Sequence, residues 1–222
     1  MTPTPQARCD LLIIGAGPAG MAAALAAAPS GMRIVVVDDN PAPGGQIWRD
    51  GPGVQLPTLA RQYREGLARH SNIEVLSGTR VVGLGDRSHA GDAPALILEN
   101  ATRGWTQHAG RTILCTGARE LLLPFPGWTL PGVTGAGGLQ ALIKGGVEVR
   151  GQRIVIAGTG PLLLAAAATA RKAGAHVLRV AEHTPWHDLA VFAAQLVRWP
   201  AKALQATRLL HPGLRANTHV LE

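Results

Sequence analysis

A glycine-rich hexapeptide constrains the fold of this chain more than any other feature of its sequence. It follows a short apolar run, Asp10 to Ile14, and precedes an Ala-rich segment, Met21 to Ala28. The run predicts a buried parallel strand, and the Ala-rich segment predicts a helix. The hexapeptide has the spacing GxGxxG and consists of Gly15, Ala16, Gly17, Pro18, Ala19 and Gly20. A strand, a glycine turn and a helix in this order predict a βαβ unit that binds a dinucleotide.

Each glycine of the hexapeptide meets a mechanical requirement of such a turn. Gly15 allows the tight turn, Gly17 lets the backbone approach a pyrophosphate, and Gly20 lets the helix pack closely on the strand. The N-terminus of the helix then offers unpaired N–H groups and its positive dipole to the phosphates. The hexapeptide alone is a weak signal, so its context decides the interpretation.

An acidic residue at the expected distance supports the dinucleotide interpretation. Arg33 to Val37 predicts a second strand, and Asp38 follows Gly20 by 18 residues at the end of that strand. A carboxylate in this place can accept hydrogen bonds from ribose hydroxyls. Asp39 lies beside it and is also a candidate cofactor-binding residue. The alternative is a glycine-rich turn in a fold that binds no dinucleotide, and the position of the acid counts against it.

The same pattern restarts in the second half of the chain. Arg153 to Ala157 predicts a strand, Pro161 to Ala173 a helix, and His176 to Val180 a further strand. The candidate residues of a second nucleotide site are Gly158, Thr159, Gly160, Pro161, Leu162 and Glu182. Leu163 stands in the place of the third glycine and keeps the helix from its closest approach to the strand. This turn is therefore open to NAD(P), to another adenine nucleotide, or to no nucleotide.

The remaining segments complete an α/β fold with two Rossmann-like units and an antiparallel excursion in the first. Thr58 to His70 has helical spacing, and residues 40–57 and Leu123 to Gly138 are predicted to be loops. Further strands are predicted at Ile73 to Leu76, Val81 to Leu84, Ala95 to Glu99, Trp105 to Ala109 and Thr112 to Cys115. We expect an N-terminal domain at 1–122, a linker at 123–150 and a C-terminal domain at 151–222. In the latter, Asp188 to Arg198 predicts a helix broken by Pro200, and Asn217 to Leu221 an extended piece.

Composition and charge exclude several classes of function. The net charge is +7, but the positive residues are dispersed, mostly as single Arg, which is typical of a solvated surface rather than a nucleic-acid patch. The longest apolar runs, such as Pro161 to Ala170, are much shorter than the ~20 residues of a membrane span. The basic stretch Val191 to Leu210 is expected to pack on a neighbouring domain rather than on a membrane. Cys9 and Cys115 have neither disulfide nor metal-site spacing, so we expect no metal and a cytoplasmic location.

The N-terminal third resembles the FAD-binding half of the two-dinucleotide-domain flavoproteins, the group that includes the pyridine nucleotide-disulfide reductases. The resemblance implies FAD as the cofactor. Gly44, Gly45 and Gln46 match the loop that this family wraps around the FAD ribose and pyrophosphate. Val81 matches a position that meets the adenine through its backbone. Cys115-Thr116-Gly117 matches the second FAD signature, normally Ala-Thr-Gly at the end of a strand.

One departure from that family concerns the redox chemistry. In the disulfide reductases a CxxxxC pair follows the double glycine, whereas this chain has Gln46 to Arg49 there and no cysteine. A dithiol relay is therefore excluded, and flavin electrons must leave by another route. The eight histidines contain no metal pair and no nucleophile–base arrangement, so no catalytic residue is predicted.

Two longer strings narrow the resemblance. "DDNPAPGGQIWR" (Asp38 to Arg49) and "LPFPGWTLPGVTGAGGLQALIK" (Leu123 to Lys144) are similar to the A- or α-type subunits of amine-oxidising complexes. These subunits include those of opine oxidase and of proline or hydroxyproline dehydrogenase, and the B subunit of hydrogen cyanide synthase. The resemblance implies a partner flavoprotein subunit of the glycine oxidase type and an iron–sulfur component. It also implies an electron-relaying role for this chain. Relative to the family, we expect the chain to be truncated at its C-terminus, because the Gly-Asp motif that returns to the flavin is missing after Glu182.

Two other functions are left open by the residues. A standalone NAD(P)H:acceptor flavin reductase would need hydride donation at the second turn, and Leu163 counts against it. A non-catalytic nucleotide-binding fragment or assembly subunit would hold a nucleotide for structure only.

Overall fold

Two units make up the chain, Met1–Ala118 and Arg119–Glu222. The computed structural model describes residues 8–52, 54–86 and 95–221. Within these ranges, no helix has the length and apolar character that crossing a membrane requires. The same ranges contain no cluster of three or more His, Cys, Asp or Glu residues that would hold a metal ion.

The N-terminal unit is built around one mixed six-stranded sheet. Its elements are β1 (Arg8–Ile14), α1 (Pro18–Ala27), β2 (Ile34–Val37), α2 (Thr58–Arg69), β3 (Ile73–Leu76), β4 (Arg80–Leu84), β5 (Leu96–Glu99) and β6 (Gly104–Leu114). The strand order is β3-β2-β1-β6-β5-β4. Strands β3, β2, β1 and β6 are parallel, whereas β4, β5 and the first part of β6 form an antiparallel meander. This is the α/β fold with an antiparallel excursion that the sequence predicts.

The parallel part of this sheet is covered on both faces. On one face, Ile13 and Ile34 pack with Met21 of α1 and Leu67 of α2. On the other face, buried strand residues pack against Leu98 of the meander. Strands covered on both faces read as continuous apolar runs, and β2 is accordingly buried along its whole length as Ile-Val-Val-Val. The two layers fix the carboxyl ends of β1, β2 and β6 at one edge of the sheet.

The C-terminal unit contains a smaller parallel sheet. Its elements are α3 (Ala136–Lys144), β7 (Arg153–Gly158), α4 (Leu162–Lys172), β8 (His176–Glu182), α5 (Trp186–Gln195), a 3-10 turn (Leu196–Arg198), α6 (Pro200–Leu209) and β9 (Leu214–Arg215). The strand order is β7-β8-β9. Ile156 and Val180 of the sheet pack with Leu163 and Ala166 of α4. The second βαβ pattern of the sequence is therefore confirmed.

Four local predictions differ from the structure. The two strands predicted at Trp105 to Ala109 and Thr112 to Cys115 form the single strand β6, because Gly110 continues it and lies against β1. The loop predicted for Leu123 to Gly138 ends earlier, where α3 begins inside the segment predicted to be a linker. The last strand of the second sheet is β9, which the sequence did not predict and which precedes the extended piece expected at Asn217 to Leu221. Pro200 does not only break a helix but starts α6, since the first helical position tolerates a missing N–H.

Candidate dinucleotide-binding site

The first glycine turn lies where β1 ends, beside the ends of β2 and β6. The Gly15 N–H donates to the Val37 carbonyl across 2.7 Å, and Gly15 has φ +102°. A Cβ at Gly15 would lie 2.3 Å from the Cys115 carbonyl oxygen. A Cβ at Gly20 would lie 1.7 Å from the Gly15 carbonyl oxygen. Both positions therefore require glycine, for the reasons that the sequence motif indicates.

The N-terminus of α1 has the features of an anion-binding helix end. Gly17 is the N-cap residue and makes no side-chain capping hydrogen bond. Pro18 is the first helical residue, and the first turn contains no acidic side chain. The first N–H groups of a helix that no side chain caps are available to phosphate oxygens, and the helix dipole favours negative charge there. This end of α1 thus fits the pyrophosphate of a dinucleotide.

A second glycine pair lies directly against this turn. The Gly44 N–H donates to the Ala16 carbonyl across 2.8 Å, and Gly44 and Gly45 have φ +141° and +56°. A Cβ at Gly45 would come within 3.0 Å of the Gly17 Cα. The Gly44-Gly45 loop therefore lies close enough to Gly17 to take part in one binding surface. Gln46 follows it with an exposed side chain.

Helix α2 anchors the loop that carries the glycine pair. Trp48 packs edge-on against Tyr63, with ring centroids 5.5 Å apart. Arg64 donates to the Pro43 carbonyl and pairs with Asp50 across 2.7 Å. This ion pair holds the pKa of the Asp50 carboxyl below its ordinary value. Sequence reasoning predicted the helix at Thr58 to His70 but not that its residues anchor this loop.

The two acids at the end of β2 have different surroundings. Asp38 is 7% exposed, and its Oδ2 accepts a hydrogen bond from the Ala16 N–H across 2.6 Å. Its Oδ1 accepts two more, from Asn40 N at 2.8 Å and from Asn40 Nδ2 at 2.7 Å. Asp39 is exposed and accepts only a longer bond, from Asn40 Nδ2 at 3.2 Å. Asp38 therefore ties the glycine turn to β2, and Asp39 presents its carboxylate outward.

The other two predicted FAD segments reach the same edge of the sheet. The Cys115 N–H donates to the Ile14 carbonyl across 2.7 Å, which places Thr116 and Gly117 immediately beyond the glycine turn. The Thr79 N–H donates to the Asp38 carbonyl across 2.9 Å, and Val81 follows it in β4. Hydrogen bonds thus bring together the hexapeptide, the end of β2, the glycine pair, the turn before Val81, and the strand end at Cys115.

In the second glycine turn, as in the first, a buried carboxylate accepts a backbone N–H of the turn, but the helix begins at a different place in the motif. Glu182 is 4% exposed; its Oε2 accepts from Gly160 N at 2.9 Å and its Oε1 from Thr184 N at 2.9 Å. Burial raises the pKa of this carboxyl, but the N–H groups of Thr184 and Gly160 outweigh it and leave the pKa below the ordinary 4.5. The ionised carboxylate therefore lies directly at the turn.

The residue that replaces the third glycine is part of the core. Leu163 is 4% exposed and packs with Ile156 and Val180. Helix α4 begins at Leu162, the fifth residue of its hexapeptide, whereas α1 begins at the fourth residue of its own. Gly158, Thr159 and Pro161 occupy the turn before it, and the Thr159 and Thr184 hydroxyl oxygens lie 2.9 Å apart. The replacement of the third glycine by Leu163 is thus accompanied by a helix that begins one residue later in the motif than α1 does.

Neither cysteine has the surroundings of a redox pair. Cys9 and Cys115 are both free. Cys9 is buried in the core, and this burial raises the pKa of its thiol to about 11. Cys115 lies at the carboxyl end of β6, beside the glycine turn. A thiol that stays protonated is neither a nucleophile nor a relay, which agrees with the absence of a CxxxxC pair in the sequence.

A family comparison agrees with this geometry. Residues 9–207 match the model of the pyridine nucleotide-disulphide oxidoreductases. The chain belongs to this family. The match spans both glycine turns, so the two βαβ units are the family's own plan, and FAD is the cofactor that the family match supports.

Several curated relatives are subunits of larger enzymes. The A subunit of opine oxidase from Agrobacterium tumefaciens is 38% identical over 77% of this chain and 36% of its own length. The HcnB subunit of hydrogen cyanide synthase from Pseudomonas protegens is 36% identical over 90% of this chain and 44% of its own. The alpha subunit of sarcosine oxidase from Rhizobium meliloti is 37% identical over 62% of this chain and 15% of its own. The chain spans less than half the length of the curated relatives it matches.

Solved structures show the same fold. The L-proline dehydrogenase of P. horikoshii superposes with a TM-score of 0.59 at 19% identity, over 78% of this chain and 36% of that one. The flavoprotein disulfide reductase RclA of Escherichia coli gives 0.62 at 20% identity, over 98% and 51%. Thioredoxin reductase of Lactococcus lactis gives 0.57 at 25% identity, over 78% and 55%. The resemblance implied by the sequence motifs is therefore confirmed at the level of family and fold.

Proposed function

We propose that the chain is an FAD-dependent oxidoreductase subunit that relays electrons within an amine or amino-acid dehydrogenase complex of the opine, proline or hydroxyproline type. The observation that carries this proposal is the meeting of four segments at one sheet edge. The glycine turn, the Gly44-Gly45 loop, the end of β2 and the Cys115-Thr116-Gly117 segment are joined there by backbone hydrogen bonds or direct contact. Such a surface fits the ADP half of FAD.

Different residues of that surface would contact different parts of the cofactor. The uncapped N-terminus of α1 and the glycines at 15, 17 and 20 would receive the pyrophosphate. Asp39 would accept the ribose hydroxyls, because Asp38 already accepts three N–H groups of the protein. Val81, in the strand β4, would meet the adenine through its backbone. Bound FAD would supply the redox chemistry, and the chain's own residues position it.

The assignment to a multi-subunit complex is supported by the relatives and by the cysteines. The relatives are named as subunits of opine oxidase, hydrogen cyanide synthase and sarcosine oxidase. Because Cys9 and Cys115 form no dithiol, electrons would pass to a partner rather than to a disulfide. We propose a glycine-oxidase-type flavoprotein subunit as the partner that oxidises the C–N bond, together with an iron–sulfur component, in the cytoplasm.

The first test is the visible absorbance of the purified chain, followed by mass analysis of the ligand that denaturation releases. A flavin spectrum and released FAD are expected, either as purified or after FAD is added. A chain that stays colourless and does not quench the fluorescence of added FAD would refute the cofactor assignment. A chain that binds FAD but is not reduced when the partner subunit and its amino-acid substrate are added would refute the relay role alone.

The second glycine turn supports a separate, smaller proposal. Glu182 accepts a hydrogen bond from the Gly160 N–H, much as Asp38 accepts one from the Ala16 N–H. The second unit therefore has the acidic residue of a nucleotide site, although Leu163 replaces the third glycine. We propose that this turn holds NAD(P) or another adenine nucleotide. Equilibrium dialysis with NADH, NADPH and ATP tests it, and the absence of binding by all three at millimolar concentration would refute it.

A further inference from the structure

The residue that follows the buried acid differs between the two glycine turns. In the first unit, buried Asp38 accepts a backbone N–H of its turn, and the next residue, Asp39, is exposed. In the second unit, buried Glu182 accepts a backbone N–H of its turn, and the next residue, His183, is exposed. At corresponding places the first turn therefore presents a carboxylate and the second an imidazole.

The carboxylate of Glu182 is engaged by the protein itself. Its Oε2 accepts the Gly160 N–H and its Oε1 accepts the Thr184 N–H, each across 2.9 Å, and the residue is 4% exposed. An acid at the end of the second strand selects an unphosphorylated ribose by accepting the 2′-hydroxyl. Because Glu182 is buried on two protein donors, the choice of ribose at this turn falls to the groups just beyond it.

A second imidazole lies beside His183. The ring centroids of His183 and His219 are 5.6 Å apart, with the rings inclined at 71°. The Thr218 N–H donates to the Glu182 carbonyl across 3.0 Å, which holds the residue before His219 against the end of β8. The His183 N–H donates to the Gly158 carbonyl across 2.8 Å, which ties it to the first glycine of the turn. We call His183 and His219 the histidine pair.

The histidine pair suits a group that accepts hydrogen bonds and carries negative charge. An imidazole has at least one N–H donor in either protonation state and is cationic when protonated. Residues 119–222 contain eleven Lys and Arg against five Asp and Glu, so the surroundings are positive. The next acid along the chain after Glu182 is Asp188, and it pairs with His187 across 2.9 Å. A phosphate offers only acceptors and negative charge, whereas a ribose hydroxyl also donates.

We propose that the histidine pair binds the 2′-phosphate of an adenine dinucleotide, so that the second turn takes NADP(H) in preference to NAD(H). This inference rests on the proposed binding of a nucleotide at that turn and names the nucleotide. The two units would then hold dinucleotides whose adenosine halves differ in one group. Exposed Asp39 meets the free hydroxyls of the FAD ribose, and the exposed imidazoles meet a phosphorylated ribose.

The test is isothermal titration of the full chain, saturated with FAD, with NADP⁺ and with NAD⁺. These two ligands differ only in the 2′-phosphate, and neither reduces FAD. We expect NADP⁺ to bind roughly tenfold more tightly than NAD⁺, since hydrogen bonds to a charged phosphate are lost in NAD⁺. The double variant His183→Gln, His219→Gln should bind NADP⁺ no more tightly than NAD⁺ and leave the Kd for NAD⁺ unchanged. His183→Asp recreates the two successive acids of the first unit and should reverse the preference.

A matched control lies on the same strand. His176 is exposed at the opposite end of β8, so His176→Gln removes an imidazole there and should keep the preference of the wild type. Circular dichroism verifies that all variants fold. Equal or tighter binding of NAD⁺ by the wild type would overturn the inference and leave a nucleotide at the turn. A preference for NADP⁺ that survives in the double variant would also overturn it, because another group would then bind the phosphate. Binding of neither dinucleotide nor ATP would refute both the inference and the proposed nucleotide site.

Discussion

Substitutions of the two neighbouring acids at the end of β2, Asp38 and Asp39, are expected to have different effects. Asp38→Asn removes the charge from a carboxylate that accepts three N–H groups in a buried place. Asparagine retains one acceptor oxygen, so its NH₂ must face either the Ala16 N–H or the Asn40 donors. A hydrogen bond to a charged group contributes about 1.5–3 kcal/mol, and an unpaired buried donor costs about 1–3 kcal/mol. We therefore expect Asp38→Asn to lower the free energy of unfolding of this unit by about 2–4 kcal/mol.

Asp39→Asn should instead leave the fold intact and weaken FAD binding. Its side chain is exposed and accepts one long hydrogen bond, and surface substitutions of this kind usually change stability by less than about 0.5 kcal/mol. Losing a charged acceptor for a ribose hydroxyl costs about 1.5–3 kcal/mol. Since about 1.4 kcal/mol corresponds to a factor of ten, the Kd for FAD should rise by roughly ten- to one-hundredfold.

Two measurements on each variant separate these effects. Urea denaturation followed by circular dichroism reports stability, and quenching of flavin fluorescence reports the Kd for FAD. Glu65→Gln is the control, because it removes an exposed carboxylate from α2 that pairs with Arg69 of the same helix. An unchanged Kd for FAD in Asp39→Asn, together with a raised Kd and unchanged stability in Asp38→Asn, would show that Asp38 contacts the ribose. That result would refute the assignment of the ribose contact to Asp39.

Four further outcomes follow from the geometry of the turns and the cysteines. Gly20→Ala would place a methyl group 1.7 Å from a backbone oxygen, so circular dichroism should show loss of the N-terminal fold together with FAD binding. Leu163→Gly removes a core side chain that is 4% exposed, so thermal denaturation should show a loss of more than about 3 kcal/mol in the free energy of unfolding. The fold lowers the pKa of Glu182, so the stabilisation by its carboxylate is present above pH 4.5 and is lost as the pH falls through the lower folded pKa. The melting temperature of Glu182→Gln should therefore lie below that of the wild type at neutral pH and converge with it in acid. Melting temperatures that stay equally far apart at every pH would contradict this. Iodoacetamide at pH 8 should label Cys115 before Cys9, whose thiol has a pKa of about 11, and FAD should slow the labelling of Cys115; mass spectrometry of the labelled peptides measures both.

The sequence predicted the elements whose determinants are local. The apolar runs of β1, β2 and β7 and the glycine turns between strand and helix are written in adjacent residues, and the structure confirms them. The strand β6 was predicted as two pieces because Gly110 reads locally as a turn. Its role is set by a distant contact, since a Cβ there would come within 3.1 Å of the Asp10 carbonyl oxygen.

Helix α3 escaped prediction for a related reason. Its first turn contains Gly137 and Gly138, which are poor helix formers. The compensating contact is remote in sequence: the Glu120 carboxylate accepts their N–H groups across 2.8 and 3.0 Å. A carboxylate at a helix N-terminus stabilises it through both the hydrogen bonds and the dipole. Local spacing does not reveal such a cap.

The candidate site was predictable as a set of segments and less so as a set of roles. Motif spacing indicated the hexapeptide, and the family resemblance indicated the glycine pair and the strand end at Cys115. Hydrogen bonds bring these segments together. Spacing singled out Asp38 for the ribose contact, and Asp39 was a candidate only because it lies beside Asp38. Burial and the hydrogen bond from the Ala16 N–H distinguish them, and these depend on the folded turn.

The long strand β6 also determines when the N-terminal unit can form during synthesis. Strand β1 lies in the middle of the sheet, between β2 and β6, and its register pairs Arg8 with His108. One edge of β1 therefore stays unpaired until the ribosome has released Leu114, and an unpaired strand edge is a template for aggregation. Contacts of such long sequence separation also slow folding. The second edge of β1 is therefore paired only after β6, which lies far along the chain, has been synthesised.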